Sequence, residues 1–126
     1  MDIDAIEFTD PKENKVLVNV RNRLNALSDS SINKMYYENY SSRGFSVEEK
    51  RFALCADMCC ISAKLKSDRK ELGLTLSQMA RMLGYQGKHT RVMMHDLESG
   101  KRSIRLPQLR LMMAYTSGYR PSDWPK

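Results

Sequence analysis

The side chains best suited to metal or nucleophilic chemistry in this 126-residue chain are three cysteines and two histidines. Cys55 and Cys59 stand four residues apart, so on a helix both thiols share a face and could bind a metal, with His89 and His95 as further candidate ligands. Structural zinc more often takes a Cys-x-x-Cys pair on a turn, and no second pair of that kind exists. Buried structural thiols are the simpler reading. Cys60 points to another face of the same helix, and an odd cysteine count argues for reduced thiols rather than a disulfide framework. No nucleophile–base constellation, glycine-rich phosphate loop or acidic pair stands out, so the expectation is a protein that is not an enzyme and holds no cofactor or metal.

The composition favours anion binding instead. The net charge of +6 is unevenly placed, with 8 Lys and Arg against 10 Asp and Glu in residues 1–63, and 13 against 5 in residues 64–126. A polyanion partner for the second half accounts for this; a solvated basic face gives the same count. The basic side chains gather around Thr90-Arg-Val-Met-Met-His-Asp-Leu-Glu-Ser-Gly100. Read as a helix, this segment turns Met93, Met94 and Leu97 to a core. Lys88, Arg91, Val92, His95 and Ser99 then lie on the other side. Such a face suits a major groove, where arginine hydrogen-bonds guanine bidentately. His95 could face a base or a phosphate, or merely cover the helix. Lys101, Arg102 and Arg105 follow Gly100 and suit phosphate contacts.

The elements that must position these residues read as helices between short turns, with no sustained period-2 alternation. Asp10 caps a first helix, with Pro11 at its first position, Glu13 as capping-box partner, and Val16, Leu17, Val20, Leu24 and Leu27 on one stripe. Ser28-Asp29-Ser30 ends it. A second helix, about Ser31 to Tyr40, carries Ile32, Met35, Tyr36 and Tyr40, and Ser41-Ser42-Arg43-Gly44 closes it. Ser46-Val47-Glu48-Glu49 opens a long helix from Val47 to Leu72, with a break near Ser62–Lys66 left open. Its apolar positions include Phe52, Cys55, Met58, Cys59, Ser62 and Leu65. Gly73 ends it, and Thr75 with Gln78 caps the next helix, whose apolar positions are Leu76, Met79, Ala80 and Leu83. The small Ala80 permits a close helix crossing. Gly84 turns the chain. A last helix starts at Pro107 with Leu109, Leu111, Met112, Met113 and Tyr115, and Gly118 ends it.

Residues 61–118 resemble the lambda-repressor-like (Xre/Cro) helix-turn-helix family. The likeness rests on Leu74-Thr75, Met79-Ala80, Leu83-Gly84 and, most specifically, Leu97-Glu98-Ser99-Gly100-Lys101-Arg102. It implies an all-α fold, in which an N-terminal helical extension (1–60) precedes a helix-turn-helix bundle (61–126) that binds double-stranded DNA. The DNA-binding residues it implies, together with the basic face, are Ser77, Gln78, Lys88, His89, Thr90, Arg91, Val92, His95, Ser99, Lys101, Arg102 and Arg105. Two departures stand out. Leu76 occupies the position after the capping Thr where the family often has a phosphate-gripping Gln, which leaves Ser77 or Gln78 to substitute or the contact missing. The stretch from Gly84 to Glu98 is also about four residues longer than the common pattern, through Tyr85-Gln86-Gly87-Lys88-His89. This variant and the ending Gly118-Tyr-Arg-Pro-Ser-Asp-Trp-Pro125 are similar to small regulators found beside phage and anti-CRISPR genes.

The resemblance implies a dimeric repressor on a palindromic operator, an autoregulator of a phage or mobile-element operon. Residues 10–63 are the preferred dimerisation surface, because Val16, Leu17, Val20 and Leu24 need burial; the last helix with Tyr119 and Trp124 is the other. The alternative is an antitoxin or anti-CRISPR-type inhibitor whose Tyr-bearing residues 1–60 (Tyr36, Tyr37, Tyr40) bind a protein partner. No apolar run approaches the ~20 residues of a membrane span. The acidic Met1–Phe8 lacks signal-peptide blocks. A cytoplasmic, nucleoid-associated protein without membrane contact is expected.

Overall fold

The computed structural model describes residues 3–41 and 43–125. Ser42, part of the turn expected after the second helix, lies outside the described residues. All regular structure described is helical. A 3-10 turn, Ile3–Ala5, precedes six α-helices: α1 Pro11–Asn25, α2 Asp29–Asn39, α3 Val47–Glu71, α4 Leu76–Met82, α5 Thr90–Glu98 and α6 Leu106–Thr116. The chain divides into two compact units, Met1–Ile61 and Ser62–Lys126.

Local side-chain chemistry sets most helix starts. The Asp10 carboxylate accepts from the Lys12 amide at 2.8 Å, while Glu13 stays exposed in the first turn. Ser28 caps α2 by accepting from the Ser31 amide, and the helix begins at Asp29, two residues before its expected start. Ser46 and Glu49 exchange backbone-to-side-chain bonds of 3.2 Å and open α3. That helix is continuous through Ser62–Lys66.

The first unit builds its own core. Leu17, Val20 and Leu24 of α1 meet Ile32 and Tyr36 of α2 and Leu54, Cys55 and Cys59 of α3. An N-terminal strap adds Ile3, Ile6 and Phe8. Asn14 fastens it by accepting from the Phe8 amide at 2.8 Å and donating to the Phe8 carbonyl, and Arg21 donates to the Ile6 carbonyl. The stripe expected to need a partner is therefore covered within the unit: Leu17, Val20 and Leu24 are buried and Val16 packs against the same cluster. That removes the reason for preferring residues 10–63 as a dimer surface.

The second unit buries Leu65, Leu74, Met79, Ala80, Met82, Leu83, Met94, Leu97, Met112 and Tyr115. Helices α4 and α5 pack on each other, with Ala80 fully buried. The Tyr115 hydroxyl of α6 donates to the Met82 carbonyl at the end of α4. Among the described residues, no helix is long and apolar enough to cross a membrane.

Leu24 is fully buried. Leu24→Ala is expected to cost about 2–5 kcal/mol of stability through lost burial and a residual cavity. A lowered urea midpoint with an unchanged slope checks it.

Candidate nucleic-acid interface

The site is built from α4, α5 and the turns that end them. Thr75 accepts from the Gln78 amide at 3.2 Å, and the Gln78 side-chain oxygen accepts from the Thr75 amide at 2.9 Å. This box closes the start of α4. It also commits the Gln78 carbonyl to the helix, so any outside contact falls to its NH₂ group or to half-buried Ser77. Leu76 is half-buried.

At the other end of α4, Gly84 takes a φ of +91°, a left-handed conformation that a Cβ would strain. The Gly84 amide bonds Arg81 and the Tyr85 amide bonds Ala80, the paired closure of a Schellman ending. Gly87, at φ +106°, bends the longer turn a second time. Tyr85 is half-buried there. Burial raises its phenol above the usual tyrosine range, and the charges of Arg105 and Arg102 partly oppose that rise. The turn after α4 thus lies near the loop after α5.

Helix α5 starts at Thr90 behind His89, whose side chain makes no capping bond, and its first turn holds no acid. Met94, Leu97 and Glu98 are buried. Lys88, His89, Arg91, Val92 and His95 are all exposed, while Thr90 and Ser99 are half-buried. Residues 92, 95 and 99 share one side of the helical repeat, Arg91 lies beside His95, and Lys88 stands in the turn before the helix. Val92 is 54 % exposed, an apolar spot within a basic face.

The loop after α5 folds back onto that helix. The amides of Lys101 and Arg102 both donate to the Asp96 carbonyl, at 3.0 and 3.2 Å. The Arg102 guanidinium lies 3.8 Å from the Asp96 carboxylate and 3.3 Å from the Met93 sulfur. Arg105 is the N-cap of α6 and is exposed. The twelve residues nominated from sequence thus fall on α4, on α5 and on the turns beside them.

Sequence reasoning missed the group that positions α5. Arg69, near the end of α3, donates to both oxygens of Glu98 at 2.7 and 3.1 Å and to the Leu74 carbonyl at 3.1 Å. The two side chains are only 13 % and 6 % exposed. A forked, nearly dry pair fixes direction as well as distance. It joins the last turn of α3, the residue before Thr75 and the last turn of α5. Glu98 stood in the family-like motif, but nothing in the sequence names a partner 29 residues away. No family model, curated protein or solved structure matches the chain.

Arg69→Met or Glu98→Leu is expected to cost about 3–5 kcal/mol, because the remaining charged group is stranded in a dry site. The double replacement Arg69→Met/Glu98→Leu should recover most of that loss. Chemical denaturation of the four proteins as a double-mutant cycle checks it.

Proposed function

We propose that residues 62–126 form a sequence-specific helix-turn-helix DNA-binding domain and that the protein is a dimeric transcriptional repressor, an autoregulator of a phage or mobile-element operon. The carrying observation is the outward side of α5, where Arg91, Val92 and His95 are exposed, with Lys88 exposed in the turn before it. Among the described residues, no carboxylate pairs with Lys88 or Arg91. A helix of this section fits a major groove.

In this reading Arg91 addresses a guanine edge and Val92 a thymine methyl, with His95 at the next step along the groove. Lys101, Arg102 and Arg105 neutralise phosphates and set register. The uncapped first turn of α5 leaves backbone N–H groups for a phosphate oxygen. Ser77 and the Gln78 NH₂ group serve the backbone from α4.

One such unit covers one half-site, so two copies on a palindrome about 34 Å apart supply specificity. The exposed Leu106, Met113 and Tyr119 offer a surface for that pairing. The protein acts in the cytoplasm, at the nucleoid.

A second reading has its own support. Tyr37 and Phe45 are exposed, the exposed Arg43 lies over the Tyr37 ring, and the buried Lys50 ammonium meets the same ring. An aromatic and cationic patch of this kind suits a protein partner, as an antitoxin or anti-CRISPR-type inhibitor with a self-regulating helix-turn-helix requires.

Gel-shift titration with DNA from immediately upstream of the gene, beside scrambled DNA at two salt concentrations, separates the readings. The repressor reading expects tight, selective shifts. Equal, salt-sensitive shifts on both DNAs overturn it and favour the partner reading. Arg91→Ala is expected to weaken specific binding by about 1–3 kcal/mol and relax one base position. Lys101→Ala should weaken binding on all sequences alike and flatten the salt slope. Unchanged selectivity in Arg91→Ala would refute the assigned face.

A further inference from the structure

Lys50 of α3 is 7 % exposed, and no carboxylate pairs with it among the described residues. Its ammonium donates to the Asn33 Oδ1 at 2.9 Å. It lies 4.8 Å from the centre of the Tyr37 ring and 5.9 Å from that of Tyr36. Exposed Arg43, in the turn between α2 and α3, brings a second cation to 4.8 Å from the same Tyr37 ring centre. Arg43 has no carboxylate partner among the described residues either. Glu49, beside Lys50 in sequence, accepts from the Ser46 amide instead. Two like charges thus converge on one tyrosine that is 40 % exposed, held by aromatic rings and one amide oxygen. A buried charge without a counter-charge is costly, and an anion that meets both cations relieves that cost.

We propose that Tyr37, Arg43 and Lys50 form a binding site for a small phosphate monoester on the first unit. At neutral pH such a group carries a charge of about −1.5 to −2, which two cations neutralise; a carboxylate leaves one of them uncompensated. The Arg43 guanidinium presents a planar fork to two phosphate oxygens. The Lys50 ammonium has further donors beside the one committed to Asn33, and the Tyr37 hydroxyl supplies another. Neither DNA reading by α5 nor a protein partner is needed for this site.

The Tyr37 phenol responds to the same two cations. Lys50 foremost, and then Arg43, hold it below the usual tyrosine range, while desolvation opposes them. Phe45 is 45 % exposed. Its ring centre lies 6.2 Å from that of Tyr36, which meets Tyr37 edge-on at 5.6 Å. This aromatic edge offers an apolar surface to the organic part of a monoester, a contact that inorganic phosphate does not make.

The test titrates the full-length protein with phenyl phosphate at low ionic strength, followed by calorimetry and by the NMR signal of the Arg43 Nε–H. Saturation at one equivalent with a shift of that signal is expected. Inorganic phosphate should bind more weakly, and acetate about tenfold more weakly, since it leaves one cation uncompensated. Arg43→Gln, on an exposed side chain outside the core, and Lys50→Gln are each expected to lower the affinity about tenfold or more. Tyr37→Phe should lower it severalfold. The basic face of α5 is a rival sink for phosphate, so Lys101→Ala is the control and should leave the titration unchanged. The site is refuted by the absence of saturable binding, by full affinity in Arg43→Gln, or by a loss that follows Lys101→Ala. Equal affinity for inorganic phosphate or for acetate overturns the monoester assignment. None of these outcomes bears on DNA reading by α5, which the gel shift decides.

Discussion

The second unit depends on one buried ion pair, Arg69 with Glu98. Taking both charges out of water costs several kcal/mol per ion. Their attraction at an effective dielectric of about 20 returns roughly 4 kcal/mol at contact distance. The pair alone is near break-even. Its third hydrogen bond, from Arg69 to the Leu74 carbonyl, shifts the balance towards the folded arrangement. What the pair supplies is specificity of geometry: a fork satisfied only when α3, the entry to α4 and the end of α5 meet in one way. An apolar contact of equal size tolerates rotation and sliding; the fork does not.

That constraint matters because the helices it serves are short. Helix α4 has 7 residues and α5 has 9, below the ~12–15 at which an isolated helix holds in water. Their shape is therefore a tertiary property. Thr75 and Gln78 close the start of α4, Gly84 and the Tyr115 hydroxyl close its end, and Ala80 lets α5 approach. Helix α5 has no side-chain cap, so its orientation rests on Met94, Leu97 and Glu98.

Much of this was legible in the sequence, and the division is physical. Caps and turns depend on residues within three or four positions, so Asp10, Ser46–Glu49, Thr75–Gln78, Gly84 and Gly118 could be read directly. Apolar periodicity identified Leu17, Val20, Leu24, Ile32, Met79 and Leu97 as core. Three features escaped. The strap at Ile3–Phe8 is too short to show a period, and its bond to Asn14 crosses an irregular segment. The Arg69–Glu98 pair spans 29 positions, and charge counts treat both as surface. The intramolecular burial of the α1 stripe could not be told from burial against a partner, because amphipathicity says that a face is covered and not by what. The outward face of α5 was legible because opposite sides of one helix follow from spacing alone.

The placement of acids decides where the positive charge of residues 64–126 is left. Asp68 pairs with Lys64, Glu98 with Arg69 and Asp96 with Arg102. Two of these pairs spend their carboxylates on cations of α3. The third holds Arg102 against α5 while leaving its side chain more than half exposed. Lys88, Arg91, Lys101 and Arg105 have no carboxylate partner among the described residues. Lys66, Lys70, Arg81, Arg110 and Arg120 have none either, so the unpaired cations spread over the unit, and four of them fall on α5 and the turns on either side of it. Screening at physiological ionic strength acts over about 8 Å, so charges gathered within one or two helical turns reinforce each other where the same number spread over the unit would not. The ion pairs that hold the fold thus leave Lys88, Arg91, Lys101 and Arg105 without local neutralisation around α5.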